Sequence, residues 1–504
     1  MTLPSHGGQG APMRREQFTS RWGLIASLLG MAIGAGNLWR FPRVAAQNGG
    51  GAFLIPWAVF LFLWSVPLML VEFGMGRATR RGPIGAFGAF LGRFGVVPGV
   101  FVAFCTTAIM FYYAVVTGWC AYYTVALAVD FGRVTGNASG HWQSVSHFSW
   151  VTVAFHAAAM TGAVLVVAGG VARGIERVNK VLIPLLVVLL FGAAVCGISL
   201  PGGSQGLEFL FHVDMDRLAH HKTWLEALSQ SAWSTGAGWG LILTYAVYTR
   251  SKEDVLLSSL VAGVGNNAAS LLAAMAILPA VFALAGPQAD KALGSGNTGL
   301  LFVWLPQLFA RITGGQVLAV AFFGAVTLAA LSSLLSMVEM ATRVIMDLGF
   351  DRRRAVVIIG GVGFLAGLPS ALHLDVFDNQ DWVWGLGLLV SGAFFALTTI
   401  VHGVRRFRTD HLRPASGAWR TGWWFDVLIY VAIPIEFVAM MGWWFYSVSA
   451  KHDLATYMNP AGIFTVGTCL LQWGLLLGIA AVVSGWIHRR VGDMGLDLRG
   501  GGVP

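Results

Sequence analysis

The chain has 504 residues, 56% of them hydrophobic and only 11% charged, with a formal net charge of +9 and a mean hydropathy of +0.70. Soluble globular chains run at about 45–50% apolar and about 25% charged residues. That excludes a string of water-soluble domains and leaves a lipid bilayer as the solvent that fits.

A membrane-spanning helix needs roughly 20 mostly apolar residues. Such runs occur twelve times, starting near Trp22, Ala52, Val96, Trp150, Val181, Ala227, Val255, Val317, Ala355, Val383, Trp424 and Ile463. No apolar stretch with a cleavage site precedes the first, so no removable signal peptide is expected. With twelve spans, one set of loops holds most of the basic residues, among them Arg77, Arg80, Arg81, Arg173, Arg177, Arg352, Arg353, Arg354, Arg405 and Arg489. The opposite set holds few, chiefly Arg133, Arg217, Lys222, Lys291, Arg311 and Lys451. The positive-inside rule then predicts both termini in the cytoplasm. It also explains the basicity by topology and anionic lipid rather than nucleic acid. Cys105, Cys120, Cys196 and Cys469 show no metal-ligand spacing and no disulfide framework.

Two spans break the apolar pattern. The first contains Gly34-Ala35-Gly36 followed by Asn37, and the sixth contains Gly236-Ala237-Gly238 after Gln230 and Ser234. A glycine inside a helix costs about 1 kcal/mol relative to alanine, so each pair invites unwinding. Unwound backbone at membrane depth is tolerated only where it lines a cavity. Freed carbonyls there can ligate a cation, and the N-terminus of the next half-helix can hold a carboxylate. Close packing of small residues explains one such span. Two, five spans apart, point to a transporter built from inverted repeats. Asn37, Glu72, Gln230, Ser234, Asn266, Ser270, Ser332 and Ser333 add costly polar groups to apolar spans. These groups offer oxygen and no nitrogen or sulfur ligand, which suits a hard cation.

Gly36-Asn37-Leu38-Trp39-Arg40-Phe41-Pro42 and Asn48-Gly49-Gly50-Gly51-Ala52-Phe53-Leu54-Ile55-Pro56 resemble the signature of the neurotransmitter:sodium symporter family. The resemblance continues in Glu72-Phe73-Gly74-Met75-Gly76-Arg77, Gly174-Ile175-Glu176-Arg177 and Ala329-Ala330-Leu331-Ser332-Ser333. It implies the LeuT fold of that family's bacterial amino-acid transporters: an all-α integral membrane protein of twelve helices, with a 5+5 inverted repeat and unwound helices 1 and 6. The expected division is a tail 1–20, a first repeat 21–199, an extracellular loop 200–222, a second repeat 223–405, helices 11 and 12 in 406–490, and a tail 491–504.

The resemblance also implies two sodium sites. The first would use Ala32, Asn37, Ser234 and Asn266, and the second Gly30, Ile33, Ala329, Ser332 and Ser333. The substrate pocket would be lined by Ala32, Gly34, Gly36, Ile109, Tyr113, Trp233, Gly236, Trp239, Ser333 and Met337, with the Tyr113 hydroxyl on the substrate carboxylate. Monoamine carriers of the family place Asp where this chain has Gly34, so the implied substrate is a small zwitterionic amino acid that brings its own carboxylate. Arg40 and Asp381 match the outer gate. Arg15 and Asp347 match the inner one, with Phe18 where the family usually has Trp. Glu72 would brace the unwound sixth helix. Chloride-independent bacterial members keep an acid on helix 7, where this chain has Asn266 and Ser270. With Gln230 and Ser234 these resemble the chloride site of animal members, although Trp57 replaces its tyrosine; chloride dependence is therefore expected. The expected function is sodium-coupled import by alternating access. The competing class is a membrane sensor that binds amino acid without turnover; an enzyme is disfavoured for want of a metal motif or nucleophile–base pair.

Overall fold

The computed structural model describes residues 16–250, 253–412, 420–449 and 454–492. Among them the chain is all helical, apart from an isolated bridge between Gly50 and Val213. Ten helical stretches are long and apolar enough to cross a bilayer. In chain order they are span 2 (Gly51–Thr79), span 3 (Pro83–Val129), span 4 (Trp150–Ala168), span 5 (Val171–Ser199) and span 7 (Val255–Gly294). Then come span 8 (Gly315–Asp347), span 9 (Arg352–Leu372), span 10 (Leu374–His402), span 11 (Trp423–Ser449) and span 12 (Val466–Val491).

The other two segments are broken. Span 1 consists of Arg21–Ala32 and Ala35–Gln47, bent by 52°. Ile33 leaves the helix in an extended conformation (φ −81°, ψ 91°), and Gly34 caps the second half. Span 6 consists of His221–Ser234 and Leu241–Val247. Between them Gly236, Gly238 and Gly240 all have positive φ, a region in which L side chains are strained. Both breaks fall at the glycine pairs that the sequence marks.

Lipid and interior sort the side chains. Large apolar residues such as Leu165, Val188, Phe191, Val401, Leu475 and Val482 are exposed on outward faces, whereas Asn37, Glu72, Gln230, Asn266 and Ser332 are buried. With hydrocarbon outside, polar groups are placed where the bundle can satisfy them. Two predicted boundaries are corrected. Span 10 starts at Leu374, not near Val383, so Asp375, Asp378 and Asp381 are helical and not in a loop. Span 5 starts at Val171, not near Val181, so Arg173, Arg177 and Lys180 lie within it.

Candidate functional site

A cavity of about 840 Å³ is lined by both breaks and by spans 3, 8 and 10. It reaches from Met31, Gly34 and Ser333 at mid-span to Glu226, Asn297 and Phe464 at the end opposite the basic loops. Nine of the ten predicted pocket residues line it: Ala32, Gly34, Gly36, Tyr113, Trp233, Gly236, Trp239, Ser333 and Met337. Ile109 is the exception. It is fully buried one helical turn before Tyr113 and does not reach the cavity wall.

Glu72 braces the second break. Its Oε1 accepts from Gly238 N–H at 2.5 Å and its Oε2 from Leu243 N–H at 3.1 Å. Thr106 donates to the Trp239 carbonyl at 2.7 Å, and Thr235 donates to Ser65 at 2.9 Å. Unwound backbone groups are thereby satisfied inside the protein, as membrane depth requires. Trp233 and Trp239 meet edge to face at 5.8 Å and bound the cavity. At the first break the Tyr113 hydroxyl accepts from Ala35 N–H at 2.9 Å.

Asn37 and Asn266 join the two breaks. Asn37 Oδ1 accepts from Gly34 N–H at 3.0 Å, which leaves its Nδ2 to donate to Asn266 at 2.7 Å and to Ser270 at 2.8 Å. The Asn266 amide atom facing Asn37 can be assigned either way: as oxygen it accepts from Asn37, and as nitrogen it donates to two neighbouring carbonyls. That same atom stands 3.0 Å from the Ala32 carbonyl and 2.9 Å from the Ser234 carbonyl. The Asn266 amide thus touches Asn37 and the two backbone carbonyls at once. The four predicted members of the first ion shell are thus contiguous. At the second, Ser333 Oγ stands 3.3 Å from the Gly30 carbonyl and 3.2 Å from that of Met31, while Ser332 donates to Ala329 O at 2.9 Å. Ile33 is the last residue on the helical ladder, its N–H donating to Leu29 O at 2.7 Å before the backbone turns extended.

The gate residues are placed differently. Arg40 donates to Gln230 at 3.0 Å and to Ser229 at 3.1 Å, and its guanidinium lies 5.4 Å from the Trp233 ring centre. It makes no ion pair with Asp381 among the described residues, although both line the cavity. Asp347 is buried, bonded to Arg343 at 2.9 Å and to Gly82 N–H at 2.6 Å. Its predicted partner Arg15 lies outside the described residues. Of the expected anion ligands, Trp57 has a buried indole N–H without a hydrogen-bond partner, and Ser270 is shared between Asn37 and Asn266. A donor of that kind fits an anion.

The basic end is closed by a cluster that sequence reading missed. Arg352 binds Glu339 at 2.7 Å and Glu16 at 2.9 Å, and Tyr248 donates to Glu339 at 2.6 Å. Thr19 and Ser20 bind Glu176, and Phe18 N–H donates to Tyr248 O at 3.1 Å. The acids and arginines were visible in the sequence; their pairing across distant segments was not. Among the described residues no group of three or more His, Cys, Asp or Glu side chains could hold a metal.

Comparison with known proteins agrees with this geometry. The model of the sodium:neurotransmitter symporter family matches residues 15–131 and 131–489. An uncharacterised sodium-dependent transporter of Methanocaldococcus jannaschii is 28% identical, over 94% of this chain and 97% of its own. One of Bacillus subtilis is 30% identical, over 84% and 98%. The crystal structure of MhsT in complex with L-phenylalanine aligns with a TM-score of 0.73 at 29% identity, covering 85% of this chain and 99% of that one. The chain therefore has the LeuT fold, belongs to the sodium:neurotransmitter symporter family, and is a sodium-dependent membrane transporter rather than an enzyme.

Proposed function

We propose that this protein imports a small neutral amino acid together with two sodium ions by alternating access. The observation that carries the reading is the cavity floor, where Ala32, Asn37, Ser234 and Asn266 converge beside Tyr113 with no side-chain carboxylate among them. The lining acids Glu226, Asp378 and Asp381 belong instead to the region around Arg40. A cation on that floor needs an anion, and a zwitterionic substrate supplies one. MhsT was crystallised with phenylalanine, which favours an amino acid here too.

The second ion would lie among Gly30, Ile33, Ala329, Ser332 and Ser333. Spans 1–5 and 6–10 would form the two repeats. Both termini would face the cytoplasm, with the chain in the cell membrane and the basic loops on anionic lipid. Arg40 would pair with Asp381 when the outer path closes, and Arg15 with Asp347 at the inner one. Each sodium charge moving down 100 mV supplies about 2.3 kcal/mol, enough to accumulate substrate. Trp57, Gln230, Ser234, Asn266 and Ser270 would hold a chloride ion that balances the sodium charge.

The test is uptake of radiolabelled neutral amino acids into proteoliposomes with and without an inward sodium gradient. Accumulation above equilibrium, driven by sodium, is expected. Saturable sodium-dependent binding without accumulation would make the protein a sensor instead. Replacing chloride by gluconate should lower uptake; unchanged uptake refutes the chloride site.

A further inference from the structure

The charged side chains that line the cavity are unpaired. Arg40, Arg43, Glu226, Asp378 and Asp381 all face it, yet no two of them form an ion pair among the described residues. At the basic end the arginines and acids are paired. Unpaired charges are tolerated while water reaches them and are strongly disfavoured once it is expelled. A mouth that closes must therefore find each buried charge a partner.

Arg43 is the arginine without an assigned role. It follows Arg40 by three residues, about 4.5 Å along the outer half of span 1, where two like charges repel. Its Nε donates to Asn297 Oδ1 at 2.9 Å and a terminal nitrogen donates to Gln47 Oε1 at 3.0 Å. Asn297 belongs to the connection between spans 7 and 8, and Gln47 donates in turn to the Leu293 carbonyl at 2.9 Å. Arg43 is thus moored by neutral groups, as Arg40 is by Ser229 and Gln230 on span 6. Glu226 precedes Gln230 by one helical turn. Glu226 and Asp381 are the acids that act on both guanidiniums, Glu226 the more strongly.

We propose that Arg43 is a second gating cation, whose partner in the closed outer path is Glu226. Closure commits Arg40 to Asp381 and leaves Glu226 with Arg43 as the cation within reach. Asn297 competes for the same guanidinium, so it is a latch that favours the open mouth. This rests on the pairing of Arg40 with Asp381 proposed above.

The test is the labelling rate of a cysteine in the mouth, read without substrate. Ser447 lines the cavity on span 11. The full chain carries Ser447→Cys together with Cys196→Ser, which removes the exposed native thiol and leaves the buried Cys105, Cys120 and Cys469. A maleimide is applied to the purified protein in sodium buffer. Asn297→Ala should slow labelling about threefold, because losing one hydrogen bond frees Arg43 to favour the closed mouth. The slowing should vanish when Arg43→Gln or Glu226→Gln is added. Labelling of Asn297→Ala at or above the parent rate overturns the proposal, and so does a slowing that persists in either double variant. Should Arg43→Gln not fold, the Glu226→Gln background carries the same test, and Arg43→Lys should keep the slowing. The pairing of Arg40 with Asp381 fails separately, if Asp381→Asn is labelled and transports as the parent does.

Discussion

Glu72→Gln probes the brace on the unwound part of span 6. The carboxylate accepts from Gly238 N–H at 2.5 Å and Leu243 N–H at 3.1 Å, and it is completely buried. Glutamine keeps one acceptor oxygen and turns an NH₂ towards the other backbone N–H. One charge-assisted hydrogen bond, about 1.5–3 kcal/mol, is lost, and a buried donor is left unpaired. At about 1.4 kcal/mol per tenfold, the ordered cavity wall loses up to about a hundredfold in population. The segment carries Gly236, Trp239 and the end of the Ser234 half-helix, so sodium and substrate binding should both weaken. The assay is equilibrium binding of radiolabelled substrate to purified protein over a sodium titration, followed by proteoliposome uptake. Both affinities should drop while the protein stays monodisperse. If Glu72→Gln binds within about threefold of the parent, the brace is not what orders the site.

Other perturbations test neighbouring parts. Tyr113→Phe removes the acceptor of Ala35 N–H; a buried donor left unpaired costs about 1–3 kcal/mol, so substrate affinity should fall about tenfold or more, read by equilibrium binding. Gly34→Ala places a Cβ 2.8 Å from Tyr113 Oη and 2.9 Å from Ser333 Oγ, closer than atoms pack, and should abolish binding of larger substrates first; an unchanged substrate profile counts against the pocket. Gly238→Ala meets both a φ of +87° and a contact of 2.8 Å with Gly392 Cα, and should lose uptake and melting temperature together. His411 follows span 10, and burial with help from His402 holds its imidazole down at about 4. Because the unfolded chain binds that proton near pH 6.5, stability should decline as pH falls from about 6.5 towards 4. His411→Phe should flatten the decline in melting temperature; parallel curves for the two proteins would exclude His411 as its source.

How much of this was legible follows from what hydropathy measures. The broken spans were readable because glycine pairs and intramembrane polar residues are anomalous against lipid. The start of span 10 was not, because its first turns face a cavity rather than lipid. There Asp378 and Asp381 line the cavity wall, and Asn379 donates to the Ile463 carbonyl at 2.9 Å. An apolar window reads such a segment as a loop. The start of span 5 was lost in a similar way, because Arg173, Arg177 and Lys180 interrupt its apolar window although they lie in the helix. Ile109 failed for another reason. It shares a face with Tyr113 at a spacing of four, but depth along a face is set by the neighbouring helices, which one sequence does not specify. Thr106, three residues earlier, holds the Trp239 carbonyl, and a lone threonine in an apolar span gives no sign of such a partner.

The two ends of the molecule differ in a way that constrains the proposed cycle. At the basic end the residues before span 1 are tied to three elements: Glu16 to Arg352, Phe18 to Tyr248, and Thr19 with Ser20 to Glu176. At the opposite end Arg40 engages neutral partners, Gln230 and Ser229, and the cavity reaches Phe464. The first half of span 1 is an arm about 18 Å long that ends at the Ile33–Gly34 break. Gly30, near that pivot, meets Ser333, whereas the tied residues lie beyond the far tip. Opening the basic end must break every tie at the tip, yet it moves Gly30 least. An ion shared between Gly30 and Ser333, as proposed, would act where the arm moves little and its geometry is most reproducible. It can hold span 1 against span 8 until the tip has separated. Sodium bound there would favour the state described here, and its departure would free the arm to swing.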